Sequence, residues 1–178
     1  MGVTNTNHRF KRALLYALII NASMFIIEIA ASLASRSVAI QADALDFLGD
    51  SFNYGMSLYF ISSALKTRSR VSLLKAASMF IYGIGILVSA LIRAANGLPP
   101  DSITMGGTAV LAFFANFSVA VILFKFREGD SNMQSVWVCT GTDVIGNALV
   151  FLAAITVGFT HSIWPDLVIA SIMALMGV

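Results

Sequence analysis

A chain of 178 residues that is 58% hydrophobic and only 11% charged, with a mean hydropathy of +0.85, does not read as a soluble domain, which would carry about 25% charged residues. The net charge of +2 comes from eleven Lys and Arg residues grouped in the links between apolar stretches, so it gives no argument for nucleic acid. One cysteine excludes an intrachain disulfide and a dithiol oxidoreductase, and no H-E-x-x-H pair is present to suggest a zinc hydrolase, so an enzyme is not expected.

Six apolar stretches follow one another at roughly 13–34, 39–62, 71–93, 104–124, 134–157 and 161–178. Each approaches the roughly 20 residues that a helix needs to cross a bilayer. The predicted fold is an all-α membrane protein of six transmembrane helices. Residues 1–12 are expected as a cytoplasmic tail and 13–178 as one transmembrane domain. Arg9, Lys11, Arg12, Lys66, Arg68, Arg70, Lys75, Lys125 and Arg127 fall on one side of this layout, and Arg36 and Arg93 on the other. The positive-inside rule then puts both termini in the cytoplasm. The basic residues before the first apolar run resemble a signal peptide, but the run exceeds a signal core of about 7–15 residues and contains Asn21 and Glu28. It reads as a retained span.

In the first span Asn21 and Glu28 are two turns apart on one face. Hydrogen bonding between helices is one role for them, and a place in a proton or ion path is the other. The second span carries Asp43, Asp46 and Asp50 at i, i+3 and i+7, with Asn53 continuing the row. Asp43 alone could be a helix-start residue. Asp50, deep in the span, could not, and acids on one buried face repel one another unless a cation compensates. Spans three and four carry no acid and read as packing or lipid-facing helices, with Asn116 as a packing contact. Span five presents Cys139, Asp143 and Asn147 at i, i+4 and i+8, and Gly141 and Gly146 would admit a neighbouring helix. The last span opens with HSIWPD, an interfacial sequence, and stops at Met176-Gly177-Val178 without a basic anchor, which reads as a fragment of a longer chain.

Asp46 with Asp50, and Cys139 with Asp143, repeat one spacing on two helices. Three carboxylates and a thiol converging from two spans make a site for a divalent metal ion crossing the membrane. Hard oxygens with one soft sulfur suit Zn²⁺ and Cd²⁺, with Co²⁺ a further candidate, over Mg²⁺ or Ca²⁺. Asp43, Asn53, Asn147, Asn21 and Glu28 are expected around the ligands or along the pathway. The recurrence of a ligand, three residues, Asp and then Asn, 93 residues apart, hints at two repeats of three helices with the site between them. The metal is cargo, and no resident cofactor is expected. Without a metal, the same acids would make a proton conductor or a packing scaffold.

These segments resemble the cation diffusion facilitator family of metal efflux transporters. The match lies in Asn21…Glu28…Ala31-Ser32-Leu33, in Ser37-Val38-Ala39-Ile40-Gln41-Ala42-Asp43-Ala44, in Asp46-x-x-x-Asp50, and in Asp143-x-x-Gly146-Asn147, within a six-helix layout. The resemblance implies a homodimer in a bacterial inner membrane that exports a divalent cation in exchange for protons. It also implies tetrahedral zinc between the second and fifth helices, on Asp46, Asp50, Cys139 and Asp143. Two departures stand out. The family commonly has His or Asp where this chain has Cys139, and it usually continues into a cytoplasmic domain after the sixth helix.

Overall fold

The computed structural model describes residues 2–60, 65–128 and 131–176. They form six helices: α1 (Gly2–Ser35), α2 (Val38–Phe60), α3 (Leu65–Asn96), α4 (Ser102–Leu123), α5 (Ser131–Thr160) and α6 (Trp164–Met176), with one 3-10 turn, Phe124–Phe126, after α4. There is no strand among the described residues. The helices overrun the apolar stretches because caps, not hydropathy, end a helix. Between Val3 and Ser35 there is no Gly or Pro, so α1 takes in the tail as well, and Phe10 is already buried in the core.

The three short links at one end of the bundle share a device. Arg36 (φ 61°), Gly97 (φ 67°) and His161 (φ 50°) all adopt the left-handed conformation just past α1, α3 and α5. Such a residue turns the chain out of a helix while its N–H closes the last turn. Gly97 donates to the Arg93 carbonyl at 3.1 Å and His161 to the Val157 carbonyl at 2.8 Å. Pro99 and Pro100 follow Gly97, and Asp101 then caps α4, its carboxylate accepting from Thr104 N at 2.9 Å.

α2 is the central element and touches each of the other five helices. α1 packs on α2 and α4, α4 packs on α5, and α3 lies at the margin against α2 and α6. A methyl group added at Gly106 of α4 would lie 3.6 Å from Ala154 on α5, and one at Gly158 of α5 would lie 3.3 Å from Ser102 Oγ, so both glycines sit where α4 and α5 pack. A methyl group added at Gly146 would lie 3.4 Å from Met173 of α6, whereas Gly141, also expected to admit a helix, has open space beside it.

Two apolar clusters bracket a polar layer. Near the short links, Ile40, Ile86, Met105, Val150, Leu167 and Met173 knit α2 to α6 together. Towards the other end, Phe10, Leu14, Tyr54, Val119 and Leu123 pack with the half-buried Trp137. Along α2, α4 and α5 the polar residues fall between these clusters. The outer surface is apolar, with Ile26, Leu33, Ile103, Phe114, Phe117 and Phe159 exposed as lipid contacts. Exposed hydroxyls there return to their own helix: Ser118 bonds the Phe114 carbonyl at 2.6 Å and Thr156 the Leu152 carbonyl at 2.8 Å, as a bilayer requires.

The chain is therefore an all-α, multi-pass membrane protein. Three segments are long and apolar enough to cross by length and composition alone: His8–Ser35, Ser102–Phe126 and Thr140–Thr160. Phe80–Ala95 and Trp164–Leu175 are shorter apolar helices, and α2 carries three aspartates along its length.

Candidate metal site

α2 and α5 face each other through two groups of polar side chains. The first centres on Asp50. Its Oδ2 accepts a hydrogen bond from the Tyr54 hydroxyl at 2.6 Å, and that hydroxyl lies 2.7 Å from Thr140 Oγ1 on α5. Tyr54 is four residues from Asp50, so both share one face of α2. Asp143 of α5 faces Asp50, close enough to share a hydrogen bond, and Asp46 and Asp43 also act on it. Asp46 is half-buried and borders a cavity of about 20 Å³ beside Gly83 and Ile86 of α3 and Met173 and Ala174 of α6. That is room for about one water molecule. Asn53 is half-buried on α2, and both it and Asp46 interact with neighbouring groups.

Of the four expected ligands, Asp50 and Asp143 thus approach each other across α2 and α5, and Asp46 adjoins them. Cys139 belongs to α5, but its side chain lies outside the described residues. Among the described residues, no three His, Cys, Asp or Glu side chains converge closely enough to hold a metal ion.

The second group centres on Asp43. Asn147 Nδ2 donates to both carboxylate oxygens of Asp43 at 2.7 Å, and Asn147 Oδ1 accepts from Asn116 Nδ2 at 3.0 Å. Asn116 therefore joins α4 to this α2–α5 contact rather than serving packing alone. Glu28 of α1 is fully buried beside it. The Glu28 and Asp43 carboxyls are near neighbours, yet neither Glu28 oxygen is in bonding geometry with any partner. Asn21, two turns away on α1, bonds its own helix at the Ala17 carbonyl (2.9 Å), and its Oδ1 has no partner.

Asp43 is not the residue that starts α2. Ser37 is: its Oγ accepts from Ile40 N at 3.0 Å. Asp166 of α6 completes the cap, accepting from Ser37 Oγ at 2.6 Å, Val38 N at 2.9 Å and Ala39 N at 3.2 Å. In the sequence Asp166 belongs to the interfacial HSIWPD stretch, and neither Tyr54 nor Thr140 is marked as part of a site. The i+4 spacing of Tyr54 from Asp50 was a usable signal. Nothing local marks Asp166, whose partners are more than 120 residues away.

Residues 14–178 match the cation efflux transmembrane domain family, and the chain belongs to it. This is a family of transporters, not of enzymes. The metal cation efflux system protein CzcD of Cupriavidus metallidurans is 25% identical over 177 residues, covering 93% of this chain and 56% of the relative. The cation efflux system protein CzcD of an Alcaligenes species matches to the same extent. The chain thus spans about half the length of the curated relatives it matches.

Proposed function

We propose that this member of the cation efflux family exports a divalent metal ion, Zn²⁺ or Cd²⁺ with Co²⁺ as a third candidate, in exchange for protons. The ion would be held between α2 and α5 by Asp46, Asp50, Asp143 and Cys139. The observation that carries this reading is the approach of Asp50 and Asp143 from two helices inside an apolar bundle. Like charges so close and so poorly solvated call for a cation between them. The names of the two relatives, one a metal cation efflux system protein and the other a cation efflux system protein, point the same way.

The neighbouring groups fit a transport site rather than a structural one. Tyr54 commits one oxygen of Asp50 to a hydrogen bond, which favours single-oxygen ligation and the low coordination number of zinc. Ligand oxygens and a thiol must shed protons to take up the ion, so metal and protons compete, and this competition is the basis of antiport. The apolar clusters on either side of the polar layer would open alternately, with the site near the midplane. The end that carries nine of the eleven Lys and Arg residues would face the cytoplasm, with both termini there. A homodimer in a bacterial inner membrane completes the proposal.

A proton conductor without a metal is the second reading. It is favoured by the hydrogen-bonded row of Asp50, Tyr54 and Thr140, which needs no metal to form. Titrating the purified protein with Zn²⁺ and Cd²⁺ separates the two. The metal reading expects saturable binding that Asp50→Ala removes. No saturable binding by the unaltered protein would leave the proton conductor.

A further inference from the structure

We propose that Glu28 and Asp43 form a second cation site, separate from the divalent-metal site, which takes one monovalent cation, a proton or a sodium ion. The site itself stands on its own geometry. Its role as the counter-ion site of exchange rests on the transport reading above.

Glu28 and Asp43 are 0% and 1% exposed. Asp43 is provided for, because Asn147 donates to both of its oxygens. Glu28 is not, since no donor meets either of its buried oxygens and the polar group within its reach is the Asp43 carboxyl, itself an acid. The charged groups facing Glu28 are Asp43 and, further off, Asp46, both on α2 and both acidic. α4, the other helix packed on α1, has no ionisable side chain. On α1 itself the nearest basic residue towards the N-terminus is Arg12, sixteen positions back, or about 24 Å along the helix. Arg36, beyond the other end, is exposed. A bare Glu28 carboxylate beside an ionised Asp43, with one amide donor between them and no positive side chain against them among the described residues, is not sustainable in an apolar interior, and one bound positive charge resolves the imbalance. A single charge is favoured over a divalent metal because Asn147 already holds both Asp43 oxygens, and no third ligand of the His, Cys, Asp or Glu type joins them among the described residues.

The pair is placed to communicate with the metal site. Asp43 precedes Asp46 by three residues on α2, and Asn147 follows Asp143 by four on α5. The first separation is about 4.5 Å of rise and the second about 6 Å. Asp50 lies seven residues beyond Asp43, about 10.5 Å along α2, and across that distance in an apolar interior a cation at Glu28 and Asp43 and a divalent ion at Asp50 and Asp143 would still repel, so filling one site favours emptying the other.

The test uses the full chain in lipid nanodiscs, with Glu28→Gln as the main variant, because glutamine copies the shape of a neutral glutamic acid. Infrared spectra are recorded across pH with and without sodium, alongside binding of radiolabelled sodium and of Zn²⁺. If the occupant is a proton, the unaltered protein shows the carbonyl stretch of a buried carboxylic acid, and Glu28→Gln removes it whether sodium is present or not. If it is sodium, the unaltered protein binds one labelled ion that Glu28→Gln does not bind, and the acid band appears only when sodium is withheld. In either case Glu28→Gln still binds Zn²⁺, but with a dependence on the competing cation shallower by about tenfold per tenfold change in its concentration, the signature of one cation fewer displaced. Glu28→Asp should restore part of that dependence. An acid band and sodium binding that are the same in both proteins, or absent from the unaltered protein throughout, would overturn the proposal. The latter result decides the matter even if the variant does not fold. Failure of the unaltered protein to bind Zn²⁺ would sink the transport reading alone, and the band or sodium signal would still decide this site.

Discussion

Replacing Asp166 by alanine should cost this bundle about 3–4 kcal/mol, because one carboxylate on α6 holds the start of α2. Asp166 is fully buried and accepts three hydrogen bonds, from Ser37 Oγ, Val38 N and Ala39 N, at 2.6, 2.9 and 3.2 Å. A hydrogen bond to a charged acceptor contributes about 1.5–3 kcal/mol, and a buried donor left without a partner costs about 1–3 kcal/mol. Three such losses at one point do not add in full. Breaking a buried charged contact by removing one partner costs about 3–5 kcal/mol, which sets the scale. The lower part of that range applies because Ser37 Oγ keeps its bond to Ile40 N and retains part of the cap. Ser37→Ala alone should cost about 1–2 kcal/mol. In a double-mutant cycle the two changes should couple by about 1–2 kcal/mol, since they share one contact. Reversible unfolding in mixed micelles, followed by circular dichroism, reads all three values. A loss below about 1 kcal/mol for Asp166→Ala, or strict additivity with Ser37→Ala, would refute the reasoning that α6 anchors α2 through this cap.

Three further outcomes follow from single side chains. Tyr54→Phe keeps the buried ring but removes the hydroxyl that binds Asp50 and meets Thr140, so calorimetric Zn²⁺ affinity should fall by about 10–100-fold. Unchanged affinity would mean that Tyr54 does not support the site. Cys139→Ser should weaken Cd²⁺ binding more than Zn²⁺ binding, because cadmium is the softer ion, and equal losses would remove sulfur from the ligand set. Asp101→Ala should lower Tm by on the order of 2–4 °C through loss of the α4 cap. The bond from Thr104 holds the Asp101 carboxyl below its ordinary value, so the ionised cap is more stable folded than unfolded. Its contribution is full above about pH 4 and is lost as pH falls through the lower folded value. The Tm difference between Asp101→Ala and the unaltered protein should therefore vanish at low pH.

The six-helix plan was legible because apolar runs of bilayer length are a strong signal, and the family pattern agreed with it. The pairing of α2 with α5 was legible too, since the i,i+4 spacing of Asp46 with Asp50 and of Cys139 with Asp143 marks one face on each helix. Helix ends were less so. α1 extends back to Gly2 and α3 begins at Leu65, outside their apolar runs, because polar residues continue a helix wherever no breaker intervenes. The partners of polar residues were the least legible. Asp43 could be a cap or part of a network until its distance to Asn147 on α5 was known. Asn116 read as a packing residue, yet it bonds Asn147. Asp166 caps a helix that begins 128 positions earlier in the chain, a contact created by the packing of α6 on α2 and written in no local pattern.

The central claim is that a divalent metal ion passes through the bundle at Asp50 and its neighbours in exchange for protons. Its most direct test is metal uptake into proteoliposomes under an imposed pH gradient, with Zn²⁺, Cd²⁺, Co²⁺ and Mg²⁺ compared for the unaltered protein and for Asp50→Ala inserted to the same level. The account predicts gradient-driven transport of Zn²⁺ and Cd²⁺, little of Mg²⁺, and none of any metal by Asp50→Ala. Undiminished transport by Asp50→Ala, or metal movement indifferent to the pH gradient, would contradict it.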